Sequence, residues 1–236
     1  MLAIYKRELK SYFYSMIGYI IIAFMIAFTG IYFMAYNLYS GYPFFSYVLT
    51  AINYVLIIVV PLLTMRCFAE ERKNKTDQLL LCAPVRLIDV VLGKYLAMVS
   101  VFAIPCLVFC TYPLIIKSFG TAYFKVDYAA ILMFFLLGCV YIAIGMFLSS
   151  LTESQIIAAI TTFGVLMIVY LWGGLINFLP DIEFLVNILE KLDIVTVFES
   201  VVSEQMLNVG GLIYYLSLIG VFVFLTMQSI QKRRWS

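Results

Sequence analysis

Charged side chains are scarce in this chain, and one stretch from Arg66 to Lys94 holds six basic and four acidic residues. Thr76 can cap a short helix there, and Ala83-Pro84 would end it. That helix would carry three consecutive leucines at positions 79–81, and apolar side chains on a mixed-charge helix need a membrane surface or a protein groove to cover them. The stretch therefore predicts either docking to a partner or an interfacial elbow that turns the chain.

Histidine, a common catalytic base and metal ligand, is absent from the 236 residues. Its absence excludes HExxH zinc hydrolases, Ser/His proteases and haem carriers with a histidine axial ligand. The cysteines form no CxxC pair, and we expect them to be inert apolar side chains, although Cys106 and Cys110 share a helical face as a metal or redox pair would. The phosphate-binding pattern GxxxxGK[ST] is missing as well. We predict no enzyme, no catalytic residue, no metal site and no cofactor bound by this chain.

The composition indicates a membrane protein. Hydrophobic residues make up 65% of the chain, charged residues 12%, and the mean hydropathy is +1.07, whereas soluble domains are roughly half apolar and about a quarter charged. Six apolar runs, each long enough to cross a bilayer as a helix, occupy about 17–36, 46–65, 95–116, 128–150, 155–176 and 210–230. We predict an all-α integral membrane protein with six transmembrane helices in a single domain over residues 1–236.

The positive charges predict the orientation. With both termini on one side, twelve of the fifteen lysines and arginines lie on that side, and the other side has Lys117, Lys125 and Lys191. The positive-inside rule then places both termini and the 66–94 stretch on the cytoplasmic side of the membrane. The first apolar run is too long for a cleaved secretory signal, so we expect it to be a retained span.

Two segments outside the spans have helical amphipathic patterns. In residues 1–15, apolar side chains alternate with Lys6, Arg7 and Lys10, which is typical of an interfacial helix attracted to anionic lipid. Between spans five and six, five apolar side chains recur at helical spacing: Ile182, Leu185, Val186, Leu189 and Leu192. We expect this external segment to be a cap that seals the bundle; a docking face for an external accessory protein and a lid are the alternatives.

The spans themselves contain no Asp, Glu, Lys or Arg, and Asp127 and Glu153 are expected at the interface. Pumps driven by protons or ions need charged groups at membrane depth, so the energy for any transport has to come from outside the membrane. An uncharged apolar wall suits a lipid-like or peptide-like substrate better than a sugar phosphate.

The 66–94 stretch also carries a family resemblance. The run PLLTMRCFAEERKNKTDQLLL (61–81), followed by Ala83-Pro84-Val85 and VLGKY (91–95), resembles the permease subunits of type-2 ABC transporters. It is most similar to the gliding-motility-type and copper-processing-type permeases. Residues 4–20 and 214–235 resemble their amphipathic start, last span and basic tail. Lys75 and Cys82 depart from the small residue and the Ser or Thr expected at those positions.

The resemblance implies an ATPase-coupling site. Such permeases pair as dimers, with an identical or related second six-span unit, and rest on cytoplasmic ABC ATPase subunits through a coupling helix between spans two and three. Here that helix would cover Lys75–Cys82, after a connector that stiffens against span three. The residues to which the resemblance assigns coupling are Glu70, Glu71, Arg72, Asn74, Lys75, Thr76, Asp77, Gln78, Leu79, Leu80 and Leu81.

The resemblance also implies that spans two and five face the dimer axis, where Tyr170, Trp172, Gly173 and Gly174 would line a cavity or the axis. ATP and Mg would bind to the partner ATPase, and no nucleic acid is involved. The implied function is a permease that couples ATP hydrolysis on its partner to the export of an amphiphile or to mechanical transmission across the membrane. A non-transporting scaffold or channel is the alternative.

Overall fold

The structure is a computed structural model that describes residues 1–73, 86–176, 193–206 and 208–234. These ranges are helical and contain no strand. The helices, numbered along the chain, are α1 Leu2–Tyr14, α2 Ile17–Phe33, α3 Ser46–Thr64, α4 Ala69–Lys73, α5 Leu87–Phe109, α6 Tyr112–Phe119, α7 Phe124–Leu151, α8 Gln155–Ile176, α9 Ile194–Glu204 and α10 Val209–Arg234. Helix α2 continues directly into a π-helix, Met34–Tyr39.

In the part of the chain that the structure describes, six helical segments are long and apolar enough to cross a membrane, which confirms the prediction of an all-α integral membrane protein. They are Ile17–Tyr39, Ser46–Lys73, Leu87–Phe119, Phe124–Leu151, Gln155–Trp172 and Val209–Lys232. The third begins earlier than the predicted position 95, because the helix that enters it already starts at Leu87.

Helices α3 and α7 form the centre of the bundle, and most of their side chains are buried. Glycines on α7 allow this close packing: a Cβ at Gly138 would collide with the Phe102 ring, and one at Gly145 would lie 2.5 Å from Thr64 Oγ1. Small residues at helix contacts bring backbones together where lipid removes the hydrophobic drive for association. Helices α2, α8 and α10 surround this core and leave most of their apolar surface uncovered.

Hydrogen bonds at both ends of α3 and α7 show that these helices run in the same direction. At one end the backbone N–H of Phe45 donates to Asp127 Oδ1 at 2.8 Å. At the other, the backbone N–H of Phe68 donates to Ser149 Oγ at 3.2 Å. We call the end with Ser149 the charged end, because the ion pairs described below lie there, and the end with Asp127 the opposite end.

The predicted interfacial helix at the N-terminus exists as α1, and it also packs into the bundle. Its Tyr12 is buried and donates to the carbonyl of Leu63 at 3.1 Å, while the hydroxyls of Tyr5 and Ser100 are 2.9 Å apart. Met16, with a left-handed φ of 59°, turns the chain from α1 into α2. Helix α1 is therefore held against α3 and α5 while part of it faces outward.

The external amphipathic helix predicted from residues 182–192 lies outside the described residues. Helix α9, which follows it, begins with a cap in which Asp193 Oδ1 accepts from the backbone N–H of Val195 at 2.9 Å. Its Phe198 is buried, and Tyr215 of α10 donates to the carbonyl of Ile194 at 2.7 Å. Helix α9 is therefore part of the packed bundle.

Asp127, which was expected at the membrane interface, lies in the first turn of α7 and is completely buried by its protein neighbours. Its Oδ1 accepts from the backbone N–H groups of Phe45 and Ser46 at 2.8 and 3.4 Å, which caps the start of α3. The free N–H groups and the positive dipole end of a helix favour a carboxylate there. The helix terminus that stabilises Asp127 comes from a different span, and the pattern around residue 127 does not reveal it.

Candidate coupling site

The structure locates three residues of the predicted coupling set. Glu70, Glu71 and Arg72 form most of the short helix α4, which extends span two beyond α3. The remaining residues, 74–81, lie outside the described residues, as does the coupling helix predicted for 75–82. That helix stays a prediction, and the geometry available is that of its base, where the chain leaves at Lys73 and returns at Arg86.

Helix α4 is attached to the end of α7. Helix α3 ends at Thr64, and a tight turn follows in which the backbone N–H of Cys67 donates to the carbonyl of Thr64 at 3.0 Å. The hydroxyl of Ser149 then accepts from the backbone N–H groups of Phe68 and Ala69 at 3.2 and 3.4 Å. This hydroxyl satisfies N–H groups that the start of a helix leaves without partners. The connector with Glu70, Glu71 and Arg72, which was predicted to stiffen against span three, is thus also anchored to the end of α7.

Lys94 lies beneath this connector and is only 2% exposed. Its Nζ donates to Glu71 Oε1 at 2.9 Å and to the carbonyl of Cys67 at 2.9 Å, and it lies 3.3 Å from Glu8 Oε1. An ammonium group has three donors, and each has an acceptor here. A buried charge is tolerated when it is paired and hydrogen-bonded in this way. The connector is consequently tied to α5, in its second turn.

Arg7 of α1 completes the network from the outer side. Its Nη2 donates to Glu8 Oε1 at 2.7 Å and to Glu71 Oε1 at 3.2 Å, while 58% of its side chain stays exposed. The hydrogen bond to Glu8 is the main reason why the pKa of Arg7 is raised above its ordinary value. We call the four residues Arg7, Glu8, Glu71 and Lys94 the charged clamp. It contains two cations and two carboxylates, so its formal charge is zero.

The charged clamp joins three helices at the base of the predicted coupling helix. Helix α1 supplies two members, α4 one and α5 one. Removing one partner of a buried ion pair typically lowers stability by about 3–5 kcal/mol, so separating these helices is strongly unfavourable. A force applied to the chain between Lys73 and Arg86 would therefore reach α1 and α5 as well as α3.

Sequence reasoning included Glu71 in the site and did not assign Glu8 or Lys94 to it. The available signals were one acidic residue in the basic segment 6–10 and one lysine just inside an apolar helix. Each suggests a buried pair, because an isolated charge at such a position is costly. The pairing itself joins Lys94 to Glu71 and to Glu8, which are 23 and 86 positions away in the chain, and no spacing rule connects them.

The residues predicted to face a cavity or the dimer axis all lie in α8. Tyr170 and Trp172 are half-buried, and Gly173 and Gly174 lie within the helix, which continues to Ile176. Much of α3 is buried in the core, and the side chains that it exposes include Tyr47, Ile58 and Leu62. That these helices face a dimer axis stays a prediction. Within the described ranges, no three His, Cys, Asp or Glu side chains converge as metal ligands.

Six apolar helices around a buried core define a polytopic, all-α membrane protein, whose charged clamp ties the connector of span two to span three. A sequence model of the ABC-2 family transporter proteins matches residues 36–228. The chain belongs to this family and is a permease component of an ABC transporter. Such subunits lie in the membrane, are typically not catalytic themselves and work with ABC ATPase partners. No curated protein matches the chain, and the gliding-motility-type or copper-processing-type identity stays a prediction.

Proposed function

We propose that this permease subunit converts ATP binding and hydrolysis on cytoplasmic ABC ATPase subunits into movement of its helices. The observation that carries the proposal is the charged clamp, in which buried Lys94 binds Glu71 and Glu8, and Glu71 belongs to the short helix that ends at Lys73, just before the segment predicted to be the coupling helix. A flexible loop would absorb the motion of a docked partner. A connector tied to α1, α5 and α7 passes that motion on.

In this mechanism the ATPase receives the segment 75–82 in a groove that covers Leu79, Leu80 and Leu81, with Asp77 and Gln78 at its polar rim. ATP and Mg bind to the ATPase, whose two subunits draw together when ATP is bound. The connector and the charged clamp transmit this closure, and α3 and α5 tilt with it. The two arrangements of the bundle must differ in affinity for the closed ATPase dimer, because only differential affinity can shift a conformational equilibrium.

A second six-span unit, identical or related, would face the first across α3 and α8, with Tyr170 and Trp172 near the axis. The apolar walls suit the export of an amphiphile. The same motion could instead act on an external accessory protein through the segment between α8 and α9. Both versions place the charged end on the cytoplasmic side of a bacterial inner membrane.

Co-purification tests the proposal. Tagged protein extracted from native membranes in mild detergent should bring down an ATPase with a P-loop, and the double variant Leu79→Asp/Leu80→Asp should lose it while still inserting into the membrane. The matched control is Leu2→Asp/Tyr14→Asp, which changes two exposed apolar residues of α1 outside the six spans and should keep the ATPase. Unchanged association in the leucine variant would refute docking through this segment, and a wild-type chain without any ATPase would favour a scaffold or channel.

A further inference from the structure

Seven aromatic rings form a continuous chain of contacts at the opposite end of the bundle. Neighbouring ring centroids are 4.8 to 6.4 Å apart. In order, the rings belong to Tyr54, Tyr32, Tyr36, Tyr42, Tyr47, Phe44 and Tyr123. We call this set the tyrosine ladder. Six of its seven members carry a hydroxyl, so the chain of rings is also a chain of hydrogen-bonding groups.

The tyrosine ladder reaches deeper than an interfacial belt. Tyr54 lies eight residues beyond the start of α3 at Ser46, which is roughly 12 Å at the rise of an α-helix. There its hydroxyl is hydrogen-bonded to that of Tyr32 on α2. Aromatic belts lie at the level of the lipid headgroups. A belt explains the rings at the rim, and it does not explain a row of phenols that continues into the membrane.

The outer rings are open to a ligand, and three of them belong to a hairpin without ionic groups, whereas the fourth, Tyr123, lies in the chain between Lys117 and Lys125. Tyr36, Tyr42, Tyr47 and Tyr123 are 37%, 51%, 44% and 51% exposed. No charged residue occurs in positions 11–65, which include spans one and two and the turn between them. A tyrosine offers a flat apolar face and a hydroxyl that both donates and accepts. The part of this surface that the hairpin forms therefore suits an uncharged ligand with hydroxyl groups.

A cleft of about 370 Å³ opens beside Tyr42. The π-helix and the turn after it form one wall, through Asn37 and Gly41, and Phe119 and Thr121 are on the other. Buried Asn37 holds the turn in place, since its Nδ2 donates to the carbonyls of Tyr42 and Phe44 at 2.7 and 3.2 Å. π-Helical turns are frequent at functional sites, and the volume is within the range of small-molecule pockets. The cleft has room for one sugar-sized group.

We propose that the cleft and the tyrosine ladder bind the uncharged, hydroxyl-bearing headgroup of an amphiphile whose tail stays in the bilayer. Headgroup hydroxyls exchange hydrogen bonds with the phenols, and the C–H faces of the headgroup stack on the rings. The row of phenols that continues to Tyr54 and Tyr32 offers such a headgroup hydrogen bonds at membrane depth, where lipid tails offer none. That this amphiphile is the exported substrate rests on the proposed function, whereas its binding can be measured on the permease alone.

The test is a titration of the full-length chain in phosphatidylcholine nanodiscs with radiolabelled octyl β-glucoside below its micelle concentration. Octyl phosphate, with the same tail and a charged headgroup, is the matched probe. We expect saturable glucoside binding that is at least tenfold tighter than octyl phosphate binding. Tyr36→Ala and Tyr42→Ala should each weaken glucoside binding fivefold or more. The control Tyr39→Ala should change it less than twofold, because Tyr39 is 94% exposed on the same π-helix and is not a member of the tyrosine ladder.

Uptake that does not saturate, or that is equal in the wild type and the ladder variants, would overturn the proposal, and so would a preference for octyl phosphate. If an alanine variant loses its helical circular dichroism, Tyr36→Phe/Tyr42→Phe keeps both rings and should still weaken binding at least threefold; unchanged binding in that variant would refute hydroxyl recognition. ATPase co-purification separates the two proposals. An associated ATPase without glucoside binding refutes only this site, and glucoside binding without any ATPase refutes only the proposed coupling.

Discussion

Replacing Lys94 with methionine tests the charged clamp, because Lys94→Met keeps most of the side-chain volume and removes the charge. The loss leaves Glu8 and Glu71, whose side chains are 15% and 18% exposed, with Arg7 as the remaining cation of the clamp. Removal of one partner from a buried pair costs about 3–5 kcal/mol. Since Arg7 and some water still reach the carboxylates, we expect Lys94→Met to lower the free energy of unfolding by about 3 kcal/mol, the low end of this range.

The charge arithmetic predicts how a second substitution behaves. Lys94→Met alone leaves the clamp with one net negative charge, whereas Lys94→Met/Glu71→Leu leaves Arg7 paired with Glu8 and no net charge. Replacing a whole buried pair with apolar side chains is often neutral. The double variant should therefore be more stable than the sum of the two single changes predicts, with a coupling energy of about 1–3 kcal/mol.

The assay is equilibrium unfolding of the four proteins in detergent micelles, followed by circular dichroism, with Lys125→Met as the control. Lys125 is an exposed lysine in the first turn of α7, and its replacement should cost no more than about 0.5 kcal/mol. ATP turnover of the purified complex gives the functional readout: Lys94→Met should lower the coupling of turnover to transport while the ATPase still co-purifies. The reasoning about the charged clamp is refuted if Lys94→Met lowers the free energy of unfolding no more than Lys125→Met does. It is also refuted if the effects of Lys94→Met and Glu71→Leu are additive in the double variant.

Three further substitutions test the helix contacts. Ser149→Ala removes the acceptor shared by two N–H groups of the connector; it should cost about 1–3 kcal/mol and speed limited proteolysis near Lys73, and an unchanged digestion rate would contradict the anchoring of α4. In thermal unfolding, Gly138→Ala should lower stability by about 1–3 kcal/mol through overpacking. The control Gly164→Ala, where a Cβ has open space, should not lower it, and equal effects of the two variants would contradict the close packing of α7. Asp193→Ala removes the cap of α9 and should cost about 0.5–2 kcal/mol in chemical unfolding, and no loss would show that the cap does not form.

The apolar pattern of the sequence was sufficient to predict the six spans, because a helix that crosses lipid must satisfy its own backbone and show lipid apolar side chains. The clustering of charge between Arg66 and Lys94 likewise pointed to the end of the bundle where the charged clamp lies. Both inferences depend on local composition and on the 3.6-residue period, which one sequence contains in full.

Asp127 and Glu8 show where such reasoning stops. Asp127 lies in the first turn of α7 and Glu8 in the middle of the short helix α1. A charge at either position is expected to face water, and the structure instead joins each to an element far away in the chain. The partner of Asp127 is the start of α3, and the nearly buried partner of Glu8 is Lys94. Pairings of this kind depend on which helices lie side by side, and the hydrophobic period of a helix does not specify its neighbour. The contact of α1 with α5 was missed for the same reason.

The charged clamp also sets an order for biosynthesis. Arg7 and Glu8 leave the ribosome first, Glu71 follows after two spans, and Lys94 comes only with the third. Until that third span is made, Arg7 is the only cation of the charged clamp, and α1 lacks the contact with Lys94 that ties it to α5. The network that joins α1, α4 and α5 is therefore complete only when span three has entered the bundle.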